Sequence, residues 1–274
     1  MEDACAACGW SPEQWEGVPV YLSSRDLSNP LFSDYRANYD RIAEVDLADS
    51  IQPEAFLAVQ AERLEGYVGD VRGQRVCDVG IGQGILFERL RRAGPARLVG
   101  VDIAIEYLDR VDRDRAEVLV ANAENLPFSE EFDVVVAADV MEHVIHLADF
   151  LVSVRQALVR GGRFVVRVPF KEDITKHSRI AGCEYDLVHL RTFAKDSLKD
   201  MLQRAGFRVE SIHYDGFEAT RARAPIAATR VGRRGWHEIV ERRFDGGPGL
   251  YDIDPRLGRL LMTPIAITAV ASRR

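Results

Sequence analysis

The chain has 274 residues, 47% hydrophobic content, four cysteines, and 36 basic against 43 acidic side chains for a formal net charge of −7. That length suits one large domain with additions. The acidic balance argues against general nucleic-acid binding, and no apolar run approaches the roughly 20 residues of a membrane span. Met1-Glu2-Asp3-Ala4 lacks the basic start and apolar stretch of a signal peptide, and so few cysteines do not make a disulfide scaffold, so a soluble cytoplasmic protein is expected.

Residues 1–30 are rich in turn formers, among them Gly9, Pro12, Gly17, Pro19 and Asn29-Pro30. Cys5 and Cys8 have half of a zinc-knuckle spacing with no second CxxC. Free surface thiols are one reading; zinc completed by Cys183, a histidine or a second chain is the other. Over 33–69, Tyr35, Tyr39, Ile42 and Val45 and then Phe56, Leu57, Val59 and Leu64 recur at helical spacing, with Pro53 opening the second helix and Gly66 and Gly69 closing it.

From residue 75 strands and helices alternate, which predicts a doubly wound α/β sheet. Arg75–Val79 is a strand whose end carries Asp78, followed by Gly80, Gly82 and Gly84 and then a helical pattern from Ile85. Glycines allow positive φ and let a ligand press on bare backbone. The spacing is G-x-G-x-G, whereas a dinucleotide fingerprint needs G-x-G-x-x-G and a triphosphate loop ends in Gly-Lys-Ser/Thr. Asp78 would repel a pyrophosphate and suit an ammonium-bearing ligand.

Leu98–Asp102 reads as the second strand, with Asp102 at the reach expected of a carboxylate gripping ribose hydroxyls. Val118–Val120 is the third and leads into Asn122 and Ala123; Phe132–Asp139 is the fourth and runs straight into Val140-Met141-Glu142-His143. A helix over 147–158, a strand over 163–169, a polar loop over 171–191, a helix over 195–205, a strand over 207–214 and a last, antiparallel strand over 265–270 complete the pattern. The polar loop holds His177, Cys183, Tyr185, His189 and Arg191. Seven arginines, Arg221 to Arg243, crowd the segment before the last strand, which reads as an insertion at about 215–262. They suit an anionic acceptor, a solvated helical face or a dimer contact.

Residues 76–84, the Asp102 strand end, the Asn122 segment, Val140–Val144 and His189–Phe207 together resemble the class I S-adenosylmethionine-dependent methyltransferases, in register from about 75 to 213. The resemblance implies a Rossmann-like, seven-stranded, mostly parallel sheet with an antiparallel last hairpin. Residues 1–70 would be an extension with cap helices and 71–274 the methyltransferase domain. Some sugar methyltransferases of this type carry an N-terminal cysteine-ligated zinc, which bears on Cys5 and Cys8. The family usually has an aspartate where Asn122 stands.

Carried onto this chain, the resemblance gives Asp78 the methionine ammonium and Gly80, Gly82 and Gly84 the backbone approach. Asp102 takes the ribose, Ile103 one adenine face, Asn122 with Ala123 the adenine edge, and Asp139 the methionine end. A hydroxyl acceptor needs a base, and His143, just past the fourth strand, is the first candidate, with His189 the second. The acceptor is expected to be a small molecule or saccharide, with no nucleic acid and no metal, since no second carboxylate pattern marks a magnesium site. N- or C-methylation and a non-catalytic scaffold are the rival readings.

Overall fold

A computed structural model of the chain describes residues 11–52, 54–113, 116–174, 189–219 and 262–274. The expectations placed on Cys5, Cys8, His177, Cys183 and Tyr185, and on the arginines from Arg221 to Arg243, lie outside the described residues.

The centre of the sheet is β3 (Arg75–Val79), flanked by the parallel strands β4 (Arg97–Asp102) and β6 (Phe132–Ala138). Beyond β4 lies β5 (Glu117–Ala121), and beyond β6 lies β7 (Leu158–Pro169), all parallel. The last hairpin reverses direction: β9 (Met262–Arg273) sits antiparallel between β7 and β8 (Phe207–Ala219). These seven strands are the expected sheet.

Two further strands extend it. The hairpin β1 (Glu13–Trp15) and β2 (Val18–Tyr21) adds to the β5 edge, giving a nine-stranded order β1-β2-β5-β4-β3-β6-β7-β9-β8 among the described residues. The hairpin was hidden because each strand is short and Pro19, which cannot donate to a ladder, sits inside β2. Its turn is Glu16-Gly17, with φ of 50° and 78°, the left-handed pair that a two-residue hairpin loop requires.

Side-chain alternation along β3 divides the interior into two layers. Cys77 and Val79 face a cluster built with Phe150 and Val154 of α6 (Leu147–Ala157) and Leu198 and Leu202 of α7 (Lys195–Arg204). Val76 faces the other cluster, with Phe87 and Leu90 of α4 (Ile85–Arg92) and Leu64 and Val68 of α3 (Glu54–Val68). Phe32 and Tyr35 of α2 (Pro30–Ala48) and Val18 and Val20 of β2 join that second layer. Gly100 in β4 is required here, because a Cβ would stand 2.8 Å from the Phe87 ring and 3.1 Å from Ile81 Cγ2. Among the described residues no helix is long and apolar enough to cross a membrane.

The chain leaves β3 first toward β4 and β5 and later crosses to β6 and β7. The strand order therefore reverses between β3 and β6, and open α/β sheets bind ligands in the crevice outside the carboxyl ends at such a point. If the hairpin is part of the sheet, Val18→Asp, at a position with no exposure, costs at least about 2 kcal/mol of stability, read by chemical denaturation.

Candidate active site

The β3–α4 turn is held open by backbone conformation. Gly80, Gly82 and Gly84 have φ of 74°, 50° and 77°, and no atom lies within 4 Å of where a Cβ on Gly82 or Gly84 would stand. At Gly80 a Cβ would meet Val140 Cγ2 at 2.5 Å, so the turn and the segment after β6 press together there. Two adjoining cavities of about 210 and 320 Å³ open above these glycines and share Gly80, Gly82, Ala138 and Asp139 as walls. Asp78 and Gly84 line the first; Asp102, Ile103, Asn122, Ala123 and His143 line the second. The fold thus brings every residue assigned to the cofactor to one crevice.

The carboxylates there are unusually poor in water. Asp78 is 2% exposed, and burial together with the charge of Asp102 raises its carboxyl to about 8. Asp102 is better provided for: its Oδ1 accepts from the amides of Ile103 (2.7 Å) and Ala104 (3.0 Å), and its Oδ2 from Gly82 (3.1 Å). Three of about four lone-pair sites are then taken, leaving roughly one on Oδ2 toward the cavity. Asn122 is also engaged, its Oδ1 accepting from the Glu124 amide (3.0 Å) and its Nδ2 donating to Asp26 Oδ1 (2.8 Å). An amide oxygen keeps a second lone pair, so the adenine-edge role is compatible with this geometry.

Asp139 has a left-handed backbone, φ 54°, and its carboxylate is paired with Arg167. Arg167, 4% exposed on β7, also lies 3.5 Å from Asp215 of β8. Asp215 in turn accepts from Thr268 Oγ1 (3.0 Å) and from Arg63 Nη1 of α3 (3.3 Å). The signal of this network in the sequence is an arginine inside the apolar run Phe164-Val165-Val166-Arg167-Val168; local spacing does not disclose its partners.

Of the two candidate histidines, His143 lines the second cavity and His189 lines neither, packing behind it. The His143 ring packs edge to face against Tyr39 (5.6 Å between centroids) and His189 (4.6 Å). Backbone contacts set this up: the Leu190 amide donates to the Glu142 carbonyl (2.9 Å), and Arg191 Nη1 donates to the carbonyls of Met141 (2.8 Å) and Val144 (2.5 Å). His189 Nδ1 lies 2.6 Å from Glu172 Oε2, a partner the sequence did not disclose. His146 stands apart as the exposed N-cap residue of α6, its side chain making no cap hydrogen bond.

A cap closes over the glycine turn from α2. Gln83 Nε2 donates to Asp46 Oδ2 (2.9 Å) and Ser50 Oγ (2.7 Å), and the Tyr107 hydroxyl donates to the same Asp46 oxygen (3.0 Å).

The crevice fits an S-adenosyl ligand: bare glycine backbone, the buried acids Asp78 and Asp102 near the carboxyl ends of β3 and β4, and flanking apolar Ile103 and Ala123. Fold and site together define a class I S-adenosylmethionine-dependent methyltransferase. A sequence profile described as a methyltransferase domain matches residues 35–212. The chain is 31% identical over 215 residues to a ubiquinone biosynthesis O-methyltransferase of Roseobacter denitrificans, covering 73% of this chain and 77% of that one. It is 32% identical over 155 residues to a tRNA U34 carboxymethyltransferase of Colwellia psychrerythraea, covering 53% of this chain and 48% of that one. The chain therefore spans about half the length of some curated relatives it matches. An S-adenosylmethionine-dependent methyltransferase structure from Mesorhizobium loti aligns with TM-score 0.54 and 17% identity, over 78% of this chain and 98% of that one. The chain belongs to the S-adenosylmethionine-dependent methyltransferases and is an enzyme of that class. A relative named for tRNA leaves the expectation of no nucleic-acid partner unsupported.

Two outcomes are expected. Asp78 must ionise to meet an ammonium, so S-adenosylhomocysteine affinity rises with pH up to about 8, approaching tenfold per unit below it. Calorimetry near pH 7 in buffers of different ionisation enthalpy should show release of close to one proton, abolished in Asp78→Asn. Asp215→Ala, which leaves the buried Arg167 with Asp139 as its one remaining carboxylate here and takes the acceptor from Thr268 Oγ1, costs about 3 kcal/mol in chemical denaturation.

Proposed function

We propose that the enzyme methylates a hydroxyl oxygen of a small molecule or saccharide, activated at His143 and His189. S-adenosylmethionine supplies an electrophilic methyl group on its sulfonium sulfur. The carrying observation is the His143–His189 pair, with Glu172 on His189 and His143 lining the cavity formed by the residues assigned to the cofactor. Asp78, Asp102 and Asp139 orient the donor, and alignment of nucleophile, methyl and sulfur is where most of the rate arises in such a displacement. Removing the hydroxyl proton is the remaining task, and an imidazole near neutral pKa suits it. Glu172 holds the His189 ring by Nδ1.

The O-methyltransferase names among the relatives support oxygen as the site of transfer. Tyr35 and Tyr39 line the same cavity and give the acceptor an aromatic wall. The domain reading, 71–274 catalytic with 1–70 as extension and cap, and a cytoplasmic location belong to this proposal as well. So does an anionic acceptor: β8 and β9 pair at Ala219 and Met262, so the chain leaves toward the arginine-rich segment from the carboxyl end of the sheet. The tRNA-named relative supports a second reading, transfer to RNA.

The test is methyl-labelled donor offered to hydroxylated small molecules, saccharides, amines and tRNA. Expected is transfer to hydroxyls, with kcat falling by about 10²–10⁴ in His143→Ala and His189→Ala while S-adenosylhomocysteine binding persists. Transfer to amines at undiminished rate in both variants would overturn the oxygen reading.

A further inference from the structure

Asn122 stands where the resembled methyltransferases usually have an aspartate, and a residue far away in the chain gives a physical reason for the exchange. Asp26, in the short helix α1 (Ser24–Leu27), is buried and lines neither cavity. Its Oδ2 accepts from the amide (2.9 Å) and the hydroxyl (2.5 Å) of Ser23, which pins the carboxylate. Its Oδ1 accepts from Asn122 Nδ2 (2.8 Å), across 96 residues of chain. An aspartate at 122 would set a second carboxylate against the first, where two buried like charges cannot both ionise cheaply. Asn122 Oδ1 meanwhile accepts from the Glu124 amide (3.0 Å). A carboxylate only accepts and a backbone N–H only donates, so these two neighbours admit one orientation of the Asn122 amide and exclude the flipped one.

We infer that Asp26 is a positioning residue that locks the Asn122 amide and thereby selects adenine as the base of the methyl donor. The inference rests on Asn122 meeting the adenine edge. So held, the amide keeps one lone pair on Oδ1 and one N–H on Nδ2, and Asn122 lines the second cavity. Adenine presents a 6-amino donor beside a ring-nitrogen acceptor, the complement of that pair, and is the base an asparagine grips at two points. Hypoxanthine, with a 6-oxo acceptor beside an N–H, presents the reverse pattern and needs the amide turned over. Turning it sets Oδ1 against the Asp26 carboxylate and Nδ2 against the Glu124 N–H, so two buried contacts become repulsive at once. An asparagine without Asp26 is free to flip and take either base. The lock gives a reversible amide the one-way selectivity of a carboxylate, and it ties the N-terminal region to recognition of the donor.

The test measures binding of S-adenosylhomocysteine and of its 6-oxo counterpart, S-inosylhomocysteine, to the full chain by calorimetry, with chemical denaturation as the folding control. Expected is a preference of about 10–100-fold for the adenine form in the unaltered chain. Asp26→Asn, isosteric but able to present either oxygen or N–H, cuts that preference by about tenfold, chiefly through tighter binding of the 6-oxo form. Asn122→Asp alone loses stability by opposing two buried carboxylates, and adding Asp26→Asn restores both stability and preference, which a merely space-filling Asp26 does not predict. That double exchange carries the test if the single Asp26→Asn variant does not fold. Preference unchanged in folded Asp26→Asn but lost in Asn122→Ala overturns the inference and leaves Asn122 at the adenine edge. Preference unchanged in Asn122→Ala removes the adenine-edge reading and the inference with it. Failure of Asp26→Asn to rescue Asn122→Asp also overturns the lock.

Discussion

Arg167 carries a positive charge into the middle of β7, between strands whose neighbouring residues are apolar, and its ion pairs organise what surrounds it. Asp139 answers from the end of β6, and doing so holds a non-glycine residue in a left-handed conformation at the crevice. Asp215 answers from β8 and recruits Arg63 from α3. One buried guanidinium thus joins the central sheet, its antiparallel hairpin and a helix from the N-terminal region. Such pairs contribute little net stability compared with well-packed apolar residues, but breaking one is costly. Their value here is geometric, because the same contacts place Asp139 where the two cavities meet.

The crevice concentrates negative charge in a dry place. Asp78, Asp102 and Asp139, with Glu142 buried next to the cavity-lining His143, are each raised by burial, and a neighbouring carboxylate adds to the effect at each. A ligand with an ammonium and a sulfonium relieves that condition, whereas a pyrophosphate would aggravate it. This electrostatic preference separates the site from dinucleotide-binding relatives of the same architecture more firmly than glycine spacing does. Near neutral pH part of the binding energy goes into ionising Asp78, which burial keeps protonated in the free protein.

Most of the sheet was legible because its strands are buried on both faces and read as continuous apolar runs ending in an acid, as at Asp102 and Asp139. The residues assigned to the cofactor follow the same logic: each stands at a strand's carboxyl end or in the turn beyond it, and each lines one of the two cavities. The hairpin β1–β2 was not, since Val18 and Val20 are too brief an alternation to register against Pro19. Glu172 and Asp215 were hidden because their partners, His189 and Arg167, are brought near by loop closure and sheet pairing that local spacing does not encode. Glu142 was noticed without a role, as nothing in the phrase Met141-Glu142-His143 shows that its carboxylate is sealed from water.

Without the β1–β2 hairpin, β5 would be the margin of a parallel sheet, offering Val118, Leu119 and Val120 with unpaired backbone groups to any passing extended chain. The hairpin moves that margin outward to a strand of three residues whose first two side chains, Glu13 and Gln14, are polar and exposed. A template so short and so hydrophilic is a poor seed for intermolecular β-pairing. The β1–β2 hairpin therefore guards the chain against self-association during synthesis and storage, a colloidal role separate from anything done at the crevice.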